Sequence, residues 1–361
     1  MRIPETRGPV SSALFKVLVQ APASSAADLD ALHAMVAGQL ALAADIIGHE
    51  DIQLSLFSLY ELHYSGLDGV ADDWEWEPGL IRIRRMIEEP FEKALREAAR
   101  KVGREHGVPA TGAFTGSQLP GGNPTSDDVA RILFDLAASD TGPSVSRYVA
   151  RKASLEQLKE FLVHKSVYQL KEADPHTWAI PRLTGRAKAA LVEIQADEYG
   201  GGRPERMHSA LFARTMRGIG LDDSYGAYVD SVPAVSLASV NLMSLCGLNR
   251  RLRGAITGHL AIYEMTSSQP NRFYGNGFRR HGFDAGVTHY FDEHVEADAV
   301  HEQIAGRDLA GGLVEAEPEL LGDVLFGATA VMAIDSRLSA HLLGSWESGK
   351  SSLRAAVPVA A

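Results

Sequence analysis

Apolar residues recur three and four positions apart along most of this chain, and no convincing stretch alternates apolar with polar. A chain with that period buries one stripe of each helix and has no face to lay on a sheet. "SAADLDALHAMVAGQLALAADII" and "GLIRIRRMIEEPFEKALREAARKVGREHG" show it best, and both are rich in helix formers. "LSLFSLYELHY" continues the pattern, and "TSDDVARILFDLAA" opens on a good amino-terminal cap. Further helices are expected at 154–173, 184–199, 204–218, 233–266, 285–305 and 318–345. The fold class is therefore all-α.

The clearest loop is "GVPATGAFTGSQLPGGNPTSDD", where glycine, proline, serine and threonine crowd together. The expected organisation is a helical region over 1–145, a second helical domain over 146–348, and a loose tail over 349–361. The formal charge of -11 argues against nucleic acid, which needs a basic face. A lone cysteine, Cys246, excludes an internal disulfide and fits a reducing compartment. "MRIPETRGPVSSALFKVLVQ" lacks the pattern of a secretory signal, and "AVSLASVNLMSLCGL" is too short and polar to span a bilayer. The expectation is a soluble cytoplasmic protein that binds neither nucleic acid nor membrane.

Several of the helical stripes carry ionisable residues where apolar ones belong. In "FDEHVEADAVHEQIA", His294, Asp298 and His301 stand at i, i+4 and i+7, on one face with Val287, Phe291 and Ala305. Asp292, Glu293, Glu296 and Glu302 fall mostly outside that face and suit water. In "GRAKAALVEIQADEYGGG" the stripe Ala187, Leu191, Ile194 ends on Glu198, while Glu193 and Asp197 lie off it. Glu264 shares a stripe with Thr257, Leu260 and Ala261. Glu172 follows Tyr168 by one turn on a less apolar face, and His208 stands near the start of a helix reopened by Pro204. Any one such carboxylate taken alone reads as a helix-end surface residue, and it is their coincidence that carries weight. Buried together, they are costly unless paired or bound to metal.

Glu172, Glu198, Glu264 and Asp298 with His208, His294 and His301 make four carboxylates and three imidazoles. That donor set suits two iron or manganese ions better than zinc. A rival assignment uses Glu205 instead of Glu198, since Glu205-x-x-His208 and Asp298-x-x-His301 mimic the Glu-x-x-His pairs of ferritin-like bundles. His294 has no counterpart in that pattern, whereas Glu198 needs the Gly200–Gly202 break to approach His208.

In order and separation these residues resemble the heme-oxygenase-like diiron oxidases and oxygenases, with "DEYGGGRPERMH" and "HVEADAVH" carrying the most specific part. The likeness covers about 150–345 and is greatest to the N-oxygenase domain of nitrosourea-forming enzymes; their cupin domain has no counterpart here. It implies a heme-oxygenase-like bundle with an N-terminal helical extension that supports a homodimer. It also implies two iron ions held by the seven residues, O2 as cosubstrate, an external electron donor of unknown identity, and passage through a peroxo-diferric species. The substrate implied is a small amino acid or amine, oxygenated at an amine or guanidine nitrogen. Oxidative C–C cleavage or desaturation of a small acid, and ferritin-like iron binding without substrate chemistry, are the alternatives.

Arg250, Arg251 and Arg253 offer a carboxylate clamp or merely a solvated face. Glu61 and His63, two apart, do not share a helical face and read as structural, as do His164, His176, His259, His281 and His289.

Overall fold

The computed structural model describes residues 1–22, 26–107, 123–140 and 142–355, the side chains of 26 and 296–299 excepted. Its elements are helices α1 (Pro9–Leu18), α2 (Ala26–Leu42), α3 (Glu50–Glu61), α4 (Pro78–Glu105) and α5 (Ser126–Ala138). They are followed by α6 (Val145–Arg151), α7 (Leu155–Gln169), α8 (Asp174–Thr177), α9 (Gly185–Glu198) and α10 (His208–Gly218). Then come α11 (Ala234–Leu248), α12 (Arg253–Arg280), α13 (Ala285–Gln303), a π-helical segment Ile304–Gly311, α14 (Gly312–Ala316) and α15 (Leu321–Glu347). No strand occurs among the described residues, and the all-α expectation holds. No helix among them is long and apolar enough to cross a membrane.

The bundle is organised around α11 and α12. Every residue of α11 from Ala234 to Gly247 is buried, the polar Ser236, Ser239, Asn241 and Ser244 included. α12 packs along α13 and α15, with α6 laid across it. The N-terminal helices close over this centre, α3 against α11 and α4 against α15. α5 sits on the π-helical segment, capped as its sequence predicted: Thr125 Oγ1 accepts from Asp128 N and the Asp128 carboxylate accepts from Thr125 N.

Several expected boundaries move. The helix expected over 233–266 breaks at Asn249, whose extended backbone separates α11 from α12. Asn249 Nδ2 donates to Leu245 O (3.0 Å), the carbonyl its own backbone N–H would have taken in a continuous helix. Beyond 266, α12 runs through Pro270 to Arg280, with Asn271 Nδ2 donating to Ser267 O inside this stretch. The helix expected over 154–173 stops at Gln169, which leaves Glu172 in a turn. The tail expected to be loose is docked at Ser352, which is buried with its N and Oγ both on Glu160 Oε2. The loop expected at 107–128 lies mostly outside the described residues, as do 356–361.

The crossing of α12 and α15 depends on having no side chain at two positions. A Cβ on Gly258 would stand 1.9 Å from Val324 O, and one on Gly327 would stand 1.9 Å from Ala255 O. The two backbones therefore touch. Helix propensity alone predicts that Gly258→Ala stabilises an isolated helix by about 1 kcal/mol. In this bundle it should instead cost about 1–3 kcal/mol through overpacking. Calorimetric melting of Gly258→Ala and Gly327→Ala should show a lowered Tm in each; an unchanged or raised Tm would refute the close crossing.

Candidate metal centre

Six of the seven expected ligands meet in the bundle interior as two groups of three. Glu172, His208 and His294 offer donor atoms all within 4.8 Å of one another, and so do Glu198, Glu264 and His301. The groups touch: His208 Nδ1 lies 3.0 Å from Glu198 Oε2, and the His208 and His294 rings stand 4.4 Å apart. The side chain of Asp298 lies outside the described residues, as does that of Glu296. Glu205 is exposed on a 3-10 turn and joins neither group.

Local sequence explains how these side chains arrive. Glu198 ends α9, and Gly200, Gly201 and Gly202 follow with φ of 65°, 60° and 78°. Only glycine adopts such a run without strain. A Cβ at Gly200 would also strike the backbone of Arg206 and Met207 at 2.6 Å. The three-glycine turn thus folds the chain back and delivers His208, first residue of α10, to Glu198. Glu172 is held differently. Ala173 takes a left-handed φ of 79°, and its carbonyl accepts from Gln195 Nε2 at 2.9 Å, which ties the turn to α9. On its other side, buried Lys171 pairs with Glu61 of α3, to which Tyr225 Oη also donates (2.8 Å). Glu61 is therefore structural, as expected, and it anchors the turn that carries Glu172.

The donor atoms are poorly satisfied by the protein. Glu172 Oε2 is buried without a hydrogen bond, while Glu198 Oε2 faces His208 Nδ1 and Glu264 Oε2 faces His301 Nδ1 as ion pairs without well-formed hydrogen bonds. Buried polar atoms in native proteins are almost always satisfied, so this crowded set of carboxylates and imidazoles suits a cation. The histidines are also oriented as ligands usually are, with the second ring nitrogen tied down. His294 Nδ1 donates to Tyr290 O at 2.7 Å, which leaves Nε2 toward Glu172, 3.6 Å away. His301 Nε2 donates to Asp197 Oδ2 at 2.9 Å, which leaves Nδ1 toward Glu264, 3.4 Å away. One carboxylate with two imidazoles, beside two carboxylates with one imidazole, fits ferrous or ferric iron.

Protonation in this set reflects the same crowding. Burial lowers His301, yet the Glu264 and Asp197 carboxylates outweigh it and lift the imidazole to about 9. His208 is likewise lowered by burial but raised overall by Glu198. Burial would raise Glu198; His208, His294 and His301 around it pull it down instead. Without a cation, the carboxylates recruit protons onto the imidazoles.

Asp197 was expected off the inward stripe, and it is correspondingly exposed along most of its side chain, yet its carboxylate reaches His301. Periodicity misses such a residue because it lies at the edge of the buried face. Tyr290 was missed as well: its phenol is buried and donates to Glu172 Oε1 at 2.8 Å. The arginine cluster does not reach the site, since Arg251 pairs with Glu92 and Arg253 with Glu317. His164 bonds Ser236 and Ser352, and His176 bonds His259 (3.2 Å), in keeping with structural roles.

The two groups open onto a cavity of about 650 Å³, lined by Glu172, Glu198, Glu264 and His294 among others. Phe161, Tyr168, Tyr263, Tyr274, Tyr290 and Phe291 contribute aromatic wall. Burial and the neighbouring Glu172 push the Tyr290 and Tyr168 phenols well above their ordinary range, so both remain O–H donors.

Residues 159–336 match the family described as iron-containing redox enzymes. The chain is also similar to nitrosourea synthase from Streptomyces achromogenes subsp. streptozoticus, 26% identical over 278 residues, covering 73% of this chain and 55% of the relative. The chain thus spans about half the length of that curated relative.

Metal must displace the protons on His208 and His301. Because both are raised in the empty fold, iron affinity should rise with pH through the neutral range, by up to about tenfold per unit for each proton released. The gain should end as pH passes about 9, where His301 is already neutral. Asp197→Asn, which weakens the grip on His301, should lower affinity by about 10–100-fold. Fe(II) titrations from pH 6 to 8 with proton-release calorimetry check both, and pH-independent uptake would contradict the assignment.

Proposed function

We propose, from the match of residues 159–336 to the iron-containing redox enzymes, that the protein is a non-heme diiron oxygenase acting on a nitrogen of a small amino-acid-like substrate. The observation that carries this reading is the pair of three-residue groups, touching through Glu198 and His208, that open onto one cavity. The relative's name denotes a product in which nitrogen has been oxidised, which favours nitrogen over carbon as the site of attack.

Glu172, His208 and His294 would hold one iron, and Glu198, Glu264 and His301 the second, with Asp298 as the seventh ligand. Bound there, the two irons supply two-electron activation of O2. The overall balance for an amine is R–NH2 + O2 + two electrons + two protons giving R–NHOH + H2O, with the electrons from an external reductant. The chain's own residues set the conditions. Tyr290 Oη holds Glu172 Oε1 by a hydrogen bond, fixing which carboxylate oxygen remains for metal. His294 is oriented by the Tyr290 carbonyl and His301 by Asp197. The aromatic wall keeps bulk water from the reacting nitrogen, so charge on the carboxylates is felt in a low-dielectric space.

Anaerobic loading of the protein with Fe(II) should bring two irons per chain, and His294→Ala or Glu264→Ala should reduce the count to one or fewer. On exposure to O2 with a reductant and a panel of amines and guanidines, one substrate should accelerate O2 uptake and gain a single oxygen atom. Iron-dependent O2 uptake that no candidate accelerates would point to iron binding without substrate chemistry. Oxygen insertion at carbon would move the reaction to the C–H class. A single iron per wild-type chain would sink the diiron reading.

A further inference from the structure

Two chain segments, each carrying one carboxylate of the two three-residue groups, are stitched together by side chains that belong to neither group. The first is the stretch 172–177, which begins with Glu172; the second is the end of α9, 195–199, which carries Glu198. Gln195 stands three residues before Glu198 on the same helical face and is buried. Its Nε2 donates to Ala173 O at 2.9 Å and to Thr177 Oγ1 at 2.6 Å. Tyr199, the residue after Glu198, has its Oη 2.9 Å from Thr177 Oγ1 and donates to Asp174 Oδ1 at 2.8 Å. Both immediate followers of Glu172, Ala173 and Asp174, are thus held by near neighbours of Glu198.

The two ends of this chain of bonds fix its direction. An amide nitrogen only donates and a carboxylate only accepts. Thr177 Oγ1 therefore accepts from Gln195 and donates to Tyr199, which donates to Asp174. The Gln195 amide cannot turn over, since its oxygen would then face the Ala173 carbonyl. Every proton is placed without conflict, and bonds ordered head to tail in this way strengthen one another. The clasp also has something to hold. Ala173 takes a φ of 79°, a conformation that a residue with a Cβ keeps only when its surroundings impose it. Glu172 precedes it in a turn, whereas Glu198, His208, Glu264, His294 and His301 all stand in helices. The clasp does for Glu172 what a helix does for the other five.

We propose that Gln195, Thr177, Tyr199 and Asp174 are positioning residues that set the reach of Glu172 toward His208 and His294, and with it the separation of the two groups. Gln195 keeps the strained turn in the conformation that buries the Glu172 side chain. Tyr199 fastens the next residue of that turn to the start of the Gly200–Gly202 break, which delivers His208. Iron held by Glu172, His208 and His294 depends on the clasp. Iron held by Glu198, Glu264 and His301 does not, because helices alone place those three.

The inference rests on the diiron reading above, and its test keeps the two separable. Tyr199→Phe and Thr177→Val each remove one hydroxyl and keep the shape of the side chain; Thr177→Ser keeps the hydroxyl. Fe(II) titration of the full chain under argon should give two irons per chain in the wild type and in Thr177→Ser. In Tyr199→Phe and Thr177→Val one iron should bind as in the wild type and the other about tenfold or more weakly. Low-temperature EPR of the half-reduced samples adds a readout that a merely structural role would not move. The spin-coupled signal of an iron pair should persist in the wild type and Thr177→Ser, and give way to that of isolated ferric iron in the other two. Variants that melt earlier yet keep both affinities and the coupled signal would overturn the clasp. So would equal weakening of both irons, or a Thr177→Ser variant as impaired as Thr177→Val. A wild type with fewer than two irons, or with two that show no spin coupling, would overturn the diiron reading itself, and the clasp with it.

Discussion

Placing three carboxylates and three imidazoles inside one helical bundle is the constraint on which the rest of the structure depends. Buried ionised groups cost several kcal/mol each unless something compensates them. Here the compensation inside the protein is incomplete: Glu172 Oε2 has no hydrogen bond, and Glu198 and Glu264 rely on ion pairs to His208 and His301. Such a centre is unfavourable by itself and becomes favourable when cations enter. On the proposed reading, folding and metal binding would be coupled, since a cation would strengthen the bundle that positions these residues.

The surroundings read as devices for holding that centre in place. The Gly200–Gly202 turn brings His208 back onto Glu198. The glycine-mediated contact of α12 with α15 lets the helix bearing Glu264 lie deep, where that side chain is 5% exposed. Glu172 sits in a turn with a strained alanine on one side and a buried Lys171–Glu61 pair on the other. Breaking such a buried pair from one side leaves an uncompensated charge. The N-terminal helices thus contribute to the centre through α3, although none of the six grouped residues lies in them.

Much of the candidate site was legible beforehand, because a polar residue inside an apolar helical stripe is visible from spacing alone. Glu198, Glu264, His294 and His301 announced themselves in that way, and all four are buried. Glu172 was only weakly legible, one turn after Tyr168 on a less apolar face: it stands in a turn, where periodicity carries little information. Asp197 and Tyr290 were not legible. Asp197 lies at the margin of a face, and Tyr290 sits on an apolar stripe where an aromatic residue is unremarkable.

Period and composition by themselves determined the fold class, the separate helices and the inward direction of most ligands, because a 3.6-residue repeat converts spacing directly into a face. They also determined where the chain must turn sharply, since three consecutive glycines permit backbone angles that other residues resist. Only the tertiary structure decided which carboxylate meets which imidazole. Glu198 took His208 across the glycine turn while Glu205 remained in solvent. It also decided where α12 begins, since the Asn249 side chain took a carbonyl bond that the helix pattern assigned to the backbone. These choices are contacts between residues distant in the chain, and their energies depend on burial and mutual distance, which no local pattern encodes.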